Sequence, residues 1–209
     1  MMRRADSVFE TPNPFADTPM ADYRMLAGCC RGCSDWPQVY NGPVEFLLRE
    51  FREQDFDALW AIDQRCFAPG VAYSRRELAV YIRRRGSFTV VAEGVEAEVA
   101  SSGIDGSRIV GFIVAEAYRR RVGHIISIDV LAASRRFGLG SRLLAAAEER
   151  LKAAACQTVV LETAVDNTAA LAFYKRHGYS VVNVVPRYYS NGVDAFVMEK
   201  DLHSLAAAS

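Results

Sequence analysis

The chain has 209 residues, of which 51% are hydrophobic and 24% charged, a composition typical of a globular protein. Its 25 basic and 25 acidic residues cancel, so no overall charge attracts it to nucleic acid or to a lipid surface. Apolar runs such as 112–115 and 159–161 are far too short to cross a bilayer, and the N-terminus lacks the apolar run of a signal peptide. We therefore expect a cytoplasmic protein with no nucleic-acid or membrane partner.

The first 43 residues hold five of the seven prolines and show no sustained periodicity, which predicts a flexible extension with one short helix near 22–27. Cys29, Cys30 and Cys33 lie in this extension. The CxxC pair has no second pair and no histidines to complete four zinc ligands, and the odd total of five cysteines argues against a disulfide scaffold. We expect no metal, one domain over 44–202 and a tail over 203–209.

Hydrophobic periodicity and turn residues divide the domain into eleven elements. One helix start is marked by Ser74 with Glu77 three residues on, the pattern of a capping box. In chain order, the pattern predicts a strand 44–49, a helix 55–67, a helix from 74, strands 87–93, 108–117 and 124–131, a helix from 139, a strand 158–165, a helix 167–177, and strands 179–185 and 195–200. This order predicts an α/β fold, a mixed sheet flanked by about four helices, with one βαβ crossover through 138–156.

A glycine-containing loop, Arg135–Ser141, lies between an isoleucine-rich strand and a long amphipathic helix. The first amides of a helix have no partner within it and lie at the positive end of its dipole, so they can bind phosphate. The two glycines let the backbone approach a ligand, and the two arginines add charge. Leu143 stands where a dinucleotide motif needs its third glycine, and no Walker A sequence follows. By itself the loop indicates an anion site no more strongly than an ordinary glycine turn.

With a second segment, this loop resembles the pyrophosphate-binding motif of the GNAT acetyltransferases, Arg/Gln-x-x-Gly-x-Gly/Ala after a strand and before a long helix. The second segment, Asn167–Tyr179, is similar to that family's other motif: an Asn opens a helix, Phe173 and Tyr174 follow, and Gly178 and an aromatic residue end it. The resemblance covers about 44–202 and implies the GNAT fold, with acetyl-CoA as co-substrate. It assigns to the coenzyme Arg135, Arg136, Phe137, Gly138, Leu139, Gly140, Ser141 and Asn167, with the main chain of Ile128, Asp129 and Val130.

A narrower resemblance is to the ribosomal-protein-alanine and other protein N-terminal acetyltransferases. Three segments carry it: Ile62–Phe67, the Leu161-Glu162 pair, and Arg187 followed by Tyr188 and Tyr189. Two features depart from the pattern, because those enzymes space the arginine one residue further from the tyrosines and have a shorter turn than 68–73. Since that turn borders the acceptor site, the departure leaves the acceptor open.

The resemblance also implies two catalytic roles. Glu162 takes the position of the base that removes a proton from the amine, the alternative being a solvated glutamate at a strand end. Tyr174 takes the position of the acid that protonates the leaving thiolate, the alternative being a core aromatic residue. Tyr188 and Tyr189 would form a wall around the acceptor, although their β-propensity also suits an edge strand. His124 and His177 are weaker candidates, which we expect at a strand start and at a helix C-terminus.

These expectations give three hypotheses for function. The first is transfer of acetyl from acetyl-CoA to the N-terminal amine of a protein such as a ribosomal protein. The transfer would be direct and within a ternary complex, because Cys156 has no neighbouring activator and suits a buried position. The second is acetylation of a small amine such as a polyamine, amino acid or antibiotic, and the third a non-catalytic acyl-CoA-binding module. The protein would act as a monomer or homodimer.

Overall fold

The computed structural model describes residues 45–95, 103–104, 106–118 and 121–203. The predicted N-terminal extension, its helix near 22–27, its three cysteines and almost all of the predicted tail lie outside the described residues. None of the helices in the described ranges is long and apolar enough to cross a membrane.

The elements follow one another in the predicted order, β-α-α-β-β-β-α-β-α-β-β. The strands are β1 Phe46–Glu50, β2 Ser87–Gly94, β3 Ile109–Tyr118, β4 Val122–Val130, β5 Thr158–Ala164, β6 Ser180–Val185 and β7 Ala195–Asp201. The α-helices among the described residues are α1 Phe56–Cys66, α2 Arg75–Arg83, α3 Leu139–Ala153 and α4 Thr168–Arg176. The bounds differ from those predicted by one or two residues, because residues that cap an element share its sequence pattern.

The strands form one seven-stranded sheet in the order β1-β2-β3-β4-β5-β7-β6. All neighbours are antiparallel except β4 and β5, which are parallel and are joined through α3. The predicted mixed sheet and its single βαβ crossover are therefore confirmed.

The parallel pair separates halfway along its length. Only Val122–Ile125 pairs with Thr158–Leu161, whereas β4 stays paired with β3 as far as Val130 and β5 with β7 as far as Ala164. The register of β3 and β4 shifts at Ile126, where an extra residue bends the strand. Each half of the sheet thus follows its own outer neighbour, and a gap opens between 126–130 and 162–164.

Helices pack on both faces of the sheet. Buried α3 side chains such as Leu143 and Leu151 join one apolar cluster, to which Tyr174 of α4 belongs. On the opposite face, Leu59 of α1 and Leu78 of α2 belong to a second cluster. The sheet is therefore buried between two pairs of helices, and its gap opens between α1 and α2 on one face and α3 and α4 on the other.

Two helix starts form as the sequence predicts. The Ser74 side chain accepts from the Glu77 amide while Glu77 reaches back to the Ser74 amide, which confirms the capping box. Asn167 Oδ1 accepts a hydrogen bond of 3.1 Å from the Ala170 amide and caps α4. These caps satisfy amides that have no partner within the helix.

A buried glutamate of α3 bonds to β7 and to the residue that precedes β6. Glu148 of α3 accepts hydrogen bonds from Tyr179 Oη at 3.0 Å and from Lys200 Nζ of β7 at 2.6 Å. By contrast, Lys152 pairs with Glu149 on the surface, with side chains 41% and 68% exposed. A buried carboxylate depends on its partners far more than an exposed one does.

Replacing Lys200 with Met should lower the free energy of unfolding by about 1–3 kcal/mol, because the Glu148 carboxylate loses its cation while it stays buried. The matched variant Lys152→Met breaks only an exposed pair and should change stability by less than about 0.5 kcal/mol. Urea unfolding followed by circular dichroism measures both values. Equal losses in the two variants would show that the Lys200 to Glu148 pair contributes no more than a surface pair.

Candidate active site

A cavity of about 720 Å³ lies where β4 and β5 separate. Its lining comes from seven parts of the fold: the end of α1 with the following loop, β4, the loop that leads into α3, the first turn of α3, β5, α4, and the loop between β6 and β7. Among the predicted site residues, those that line it are Ile128, Val130, Arg135, Arg136, Gly138, Leu139, Gly140, Ser141, Glu162, Asn167, Tyr174, Tyr188 and Tyr189.

Two predicted residues do not line this cavity. The Phe137 side chain is 47% exposed on the outside of the loop. Asp129 is buried and accepts a hydrogen bond of 2.6 Å from Ser127 Oγ. Burial and the charge of Asp63 raise the pKa of Asp129 well above its ordinary value, because they outweigh the Ser127 hydrogen bond and the charge of Arg135, which both lower it.

The loop before α3 has the backbone geometry of an anion site. Arg136 and Gly138 both have positive φ, at 69° and 79°, and this alternation turns successive amides towards one side. Arg135 Nε donates to the Val130 carbonyl at 2.8 Å, which holds the loop against the end of β4. Nothing lies within 4 Å of the place where a β-carbon on Gly138 would be. The loop thus leaves open space in front of the N-terminus of a 15-residue helix, which suits a phosphate group.

Glu162 belongs to a row of alternating charges across three strands. His124 Nε2 donates to Glu162 Oε2 at 2.8 Å, and His124 Nδ1 lies 3.7 Å from Glu116 Oε1. Arg84 Nη1 lies 3.4 Å from the same Glu116 oxygen. Burial alone would raise the pKa of Glu116, but His124 and Arg84 outweigh it and hold that pKa below its ordinary value.

The charge row decides the protonation state of His124. Burial alone would lower the pKa of His124, but the charges of Glu162 and Glu116 and the hydrogen bonds to both raise it to about 10. His124 is therefore an imidazolium at neutral pH. The alternative that Glu162 is a solvated strand-end residue is wrong, since its side chain is 13% exposed and bonded to His124. The expectation that His124 merely starts a strand missed this contact, which joins residues 38 positions apart.

Tyr174 is both a packing residue and a cavity residue. It is buried, and its ring meets those of Phe173 and Tyr179 edge-on at 5.2 and 5.6 Å. Burial, with smaller contributions from Asp129, Tyr189 and Glu162, raises its pKa. Tyr174 therefore keeps its proton throughout the physiological pH range while facing the cavity.

Two loops meet beside the cavity. Ser190 Oγ, between β6 and β7, donates to the Gly70 carbonyl, between α1 and α2, at 2.9 Å. Tyr188 and Tyr189 lie in the first of these loops and not in a strand, so the edge-strand alternative is wrong. Tyr73 was not among the predicted site residues, but it lines the cavity and donates its hydroxyl to the Ile126 carbonyl at 3.2 Å. The only signal for it was an aromatic residue next to the Ser74 cap.

Histidine titration should make stability depend on pH in the alkaline range. An unfolded histidine has a pKa near 6.5, and the folded value for His124 is about 10. Between these values the folded chain keeps a proton that the unfolded chain releases, so the free energy of unfolding falls by at most about 1.4 kcal/mol per pH unit. The stability difference between wild type and His124→Gln should therefore be largest below pH ~6.5 and shrink towards pH ~10.

Urea unfolding at half-unit pH steps measures this difference. The control His203→Gln changes a solvent-exposed histidine. The stability difference between wild type and this control variant should stay constant across the same pH range. A constant difference between wild type and His124→Gln would contradict the protonated state of His124.

Comparison with known proteins agrees with the geometry. The Acetyltransferase (GNAT) family matches residues 56–179. An uncharacterized N-acetyltransferase of Methanocaldococcus jannaschii is 33% identical over 155 residues, which is 74% of this chain and 90% of that protein. N-alpha-acetyltransferase 30 of Schizosaccharomyces pombe is 33% identical over 128 residues, 59% of this chain and 78% of that protein.

Solved structures share the fold. Ard1 from Thermoplasma volcanium aligns with a TM-score of 0.63 at 27% identity, over 75% of this chain and 97% of that one. The ribosomal-protein-S18-alanine N-acetyltransferase from Escherichia coli aligns with a TM-score of 0.62 at 21% identity, over 75% of this chain and 94% of that one.

Within the described residues, no group of three His, Cys, Asp or Glu side chains could hold a metal ion. The chain belongs to the GNAT acetyltransferase family, and it is an acetyl-CoA-dependent enzyme that transfers acetyl to an amine.

Proposed function

We propose that this enzyme acetylates the N-terminal α-amino group of a protein, such as a ribosomal protein, by direct transfer within a ternary complex. One observation carries the proposal: a carboxylate, Glu162, and a protonated phenol, Tyr174, line the same cavity. The reaction needs one group that accepts a proton from the amine and one that donates a proton to the thiolate.

The residues at the α3 end of the cavity suit the coenzyme. Acetyl-CoA supplies the acetyl group as a thioester. The open amides at the start of α3, with Arg135 and Arg136, would bind its pyrophosphate. Over 126–130, β4 does not pair with the diverging β5. The Ile126 and Val130 carbonyls accept from Tyr73 and Arg135, so the main chain around Ile128, between them, is the part that suits the pantetheine arm. An amide in this stretch could also donate to the thioester carbonyl as charge develops on its oxygen.

The charge row favours Glu162 over His124 as the base. An α-amino group has a pKa near 8 and must lose a proton before it attacks. His124 already carries a proton up to a pH of about 10, so it cannot accept another at neutral pH. Glu162 can accept one, while His124 acts as a positioning residue that fixes the direction of the carboxylate through its 2.8 Å hydrogen bond.

Tyr174 fits the role of the acid. Its raised pKa keeps it protonated at rest, so the phenol proton is present when the thiolate leaves. Burial against Phe173 and Tyr179 holds the ring in one position, which limits the loss of alignment between turnovers. A non-catalytic acyl-CoA-binding module would need neither this phenol nor the Glu162 carboxylate.

The loops beside the cavity support a chain terminus as the acceptor. The Ser190 to Gly70 hydrogen bond brings the two loops together, with the rings of Tyr188 and Tyr189 packed at 82° to each other next to them. A pocket bordered by such rings suits an extended peptide end with an uncharged side chain. Several relatives are named N-alpha-acetyltransferases, including those of Sulfurisphaera tokodaii and Schizosaccharomyces pombe, which agrees with this acceptor.

A panel of acceptors tests the proposal. Thiol release from acetyl-CoA should be robust with peptides that have a free N-terminus and absent with the same peptides after N-terminal blocking. Glu162→Gln, which keeps the shape but not the basic oxygen, should lower kcat by about 10²- to 10⁴-fold, and the surface variant Glu149→Gln should not. Robust turnover of free polyamines, amino acids or antibiotics with none on peptides would instead establish a small-amine acetyltransferase.

Tyr174→Phe tests the acid separately. It should lower kcat by about 10²- to 10⁴-fold while the Kd for coenzyme A stays nearly unchanged, because only the proton donor is removed. The control Tyr179→Phe removes another buried hydroxyl from the same aromatic cluster. That variant should lose stability and keep its kcat. Unchanged turnover in Tyr174→Phe would contradict the proton-donor role.

A further inference from the structure

A histidine at the end of α4 contacts the first turn of α3. His177 Nε2 lies 2.9 Å from Ser141 Oγ, within hydrogen-bond distance. Ser141 is the third residue of α3 and lines the cavity beside the glycine loop. His177 lies at a helix C-terminus as predicted, where it caps α4, but its contact with Ser141 was not predicted.

Packing holds the imidazole in place. The His177 ring lies 4.6 Å from the ring of Phe173, one turn earlier in α4. Phe173 in turn lies against Gly140, where a β-carbon would be 3.5 Å from the phenyl ring. The start of α3 and the last turns of α4 therefore form one packed unit, and the Ser141 to His177 bond is the polar part of it.

The direction of this hydrogen bond matters because a serine hydroxyl has a single proton. If Ser141 donated to the imidazole, its proton would point away from the loop and only lone pairs would face an anion. If the imidazole donates, the hydroxyl proton is left for a phosphate oxygen. Burial, with help from Lys200 and Arg176 and against the charge of Glu148, lowers the pKa of His177. The ring is then neutral, and it can donate from Nε2 in one of its two tautomers.

We propose that His177 is a positioning residue for the coenzyme phosphates: it donates Nε2–H to Ser141 Oγ and thereby directs the Ser141 hydroxyl proton to a pyrophosphate oxygen. This inference rests on the proposed binding of the pyrophosphate at the start of α3. It adds a side-chain donor to a site otherwise built from main-chain amides and arginines.

The same helix then serves both ends of the coenzyme. The main-chain amide of His177 donates to the Tyr174 carbonyl at 3.0 Å, so the histidine and the phenol lie one turn apart on α4. A phosphate bound through Ser141 and His177 is therefore held at a fixed position relative to the helix that carries Tyr174. Arg176, between them, also lines the cavity.

Four variants and two acetyl donors test the proposal. In His177→Phe the ring contact with Phe173 remains but the donor is lost, and in Ser141→Ala the hydroxyl is lost. Each should raise KM for acetyl-CoA by about 5- to 10-fold, as expected for one hydrogen bond, with kcat changed less than twofold. The double variant should be no worse than either single one, because both remove the same contact. His177→Gln, whose amide can also donate, should recover part of the loss.

Acetyl-pantetheine, which lacks the pyrophosphate and the nucleotide, separates positioning from packing. Wild type and His177→Phe should have the same KM for acetyl-pantetheine and differ only with acetyl-CoA. Equal losses with both donors, or fully additive effects of the two substitutions, would overturn the proposal. Calorimetric titration with coenzyme A gives the same comparison without any acceptor amine, so a failure of the proposed N-terminal acetylation would not be mistaken for a failure here.

Discussion

The divergence of β4 and β5 is the constraint on which the rest of the site depends. A parallel pair normally continues until one strand ends, but here each strand follows its antiparallel neighbour and the pairing stops at Ile125 and Leu161. The gap leaves 126–130 of β4 and 162–164 of β5 without each other as strand partners. The start of α3, α4 and the two loops joined by the Ser190 to Gly70 hydrogen bond all line the cavity at this gap. The channel between the separated strands follows from this single departure from regular pairing.

Electrostatics assigns the roles of the polar residues within that channel. Glu116, His124 and Glu162 alternate in charge across adjacent strands, and the cation in the middle is stable because a carboxylate faces it on each side. Because His124 is already protonated at neutral pH, it cannot accept a further proton. Its hydrogen bond fixes the direction of the Glu162 carboxylate. Away from the charge row, α3 is anchored to β7 by the hydrogen bonds of Glu148 with Tyr179 and Lys200. The helix whose first turn lines the cavity is therefore fixed near its middle by a buried charge.

Much of this protein could be predicted from sequence, because the informative patterns are local. The element order, the caps at Ser74 and Asn167 and the crossover all depend on residues within a few positions of one another. What could not be predicted are contacts between distant segments. Tyr73 and Ile126 are 53 residues apart, His124 and Glu162 are 38 apart, and Ser141 and His177 are 36 apart. Strand register and helix docking decide such pairs, and a single sequence records neither.

By itself, the sequence indicated the family, because the Arg135–Ser141 and Asn167–Tyr179 motifs are each continuous in the chain. It also predicted Glu162 and Tyr174 as site residues, and the structure shows that both line one cavity. Only the tertiary structure decided which histidine is charged and which one contacts Ser141 at the start of α3. The physical reason is that a pKa is set by the charges and burial that surround a group in space. For His124 those charges come from two other strands of the sheet.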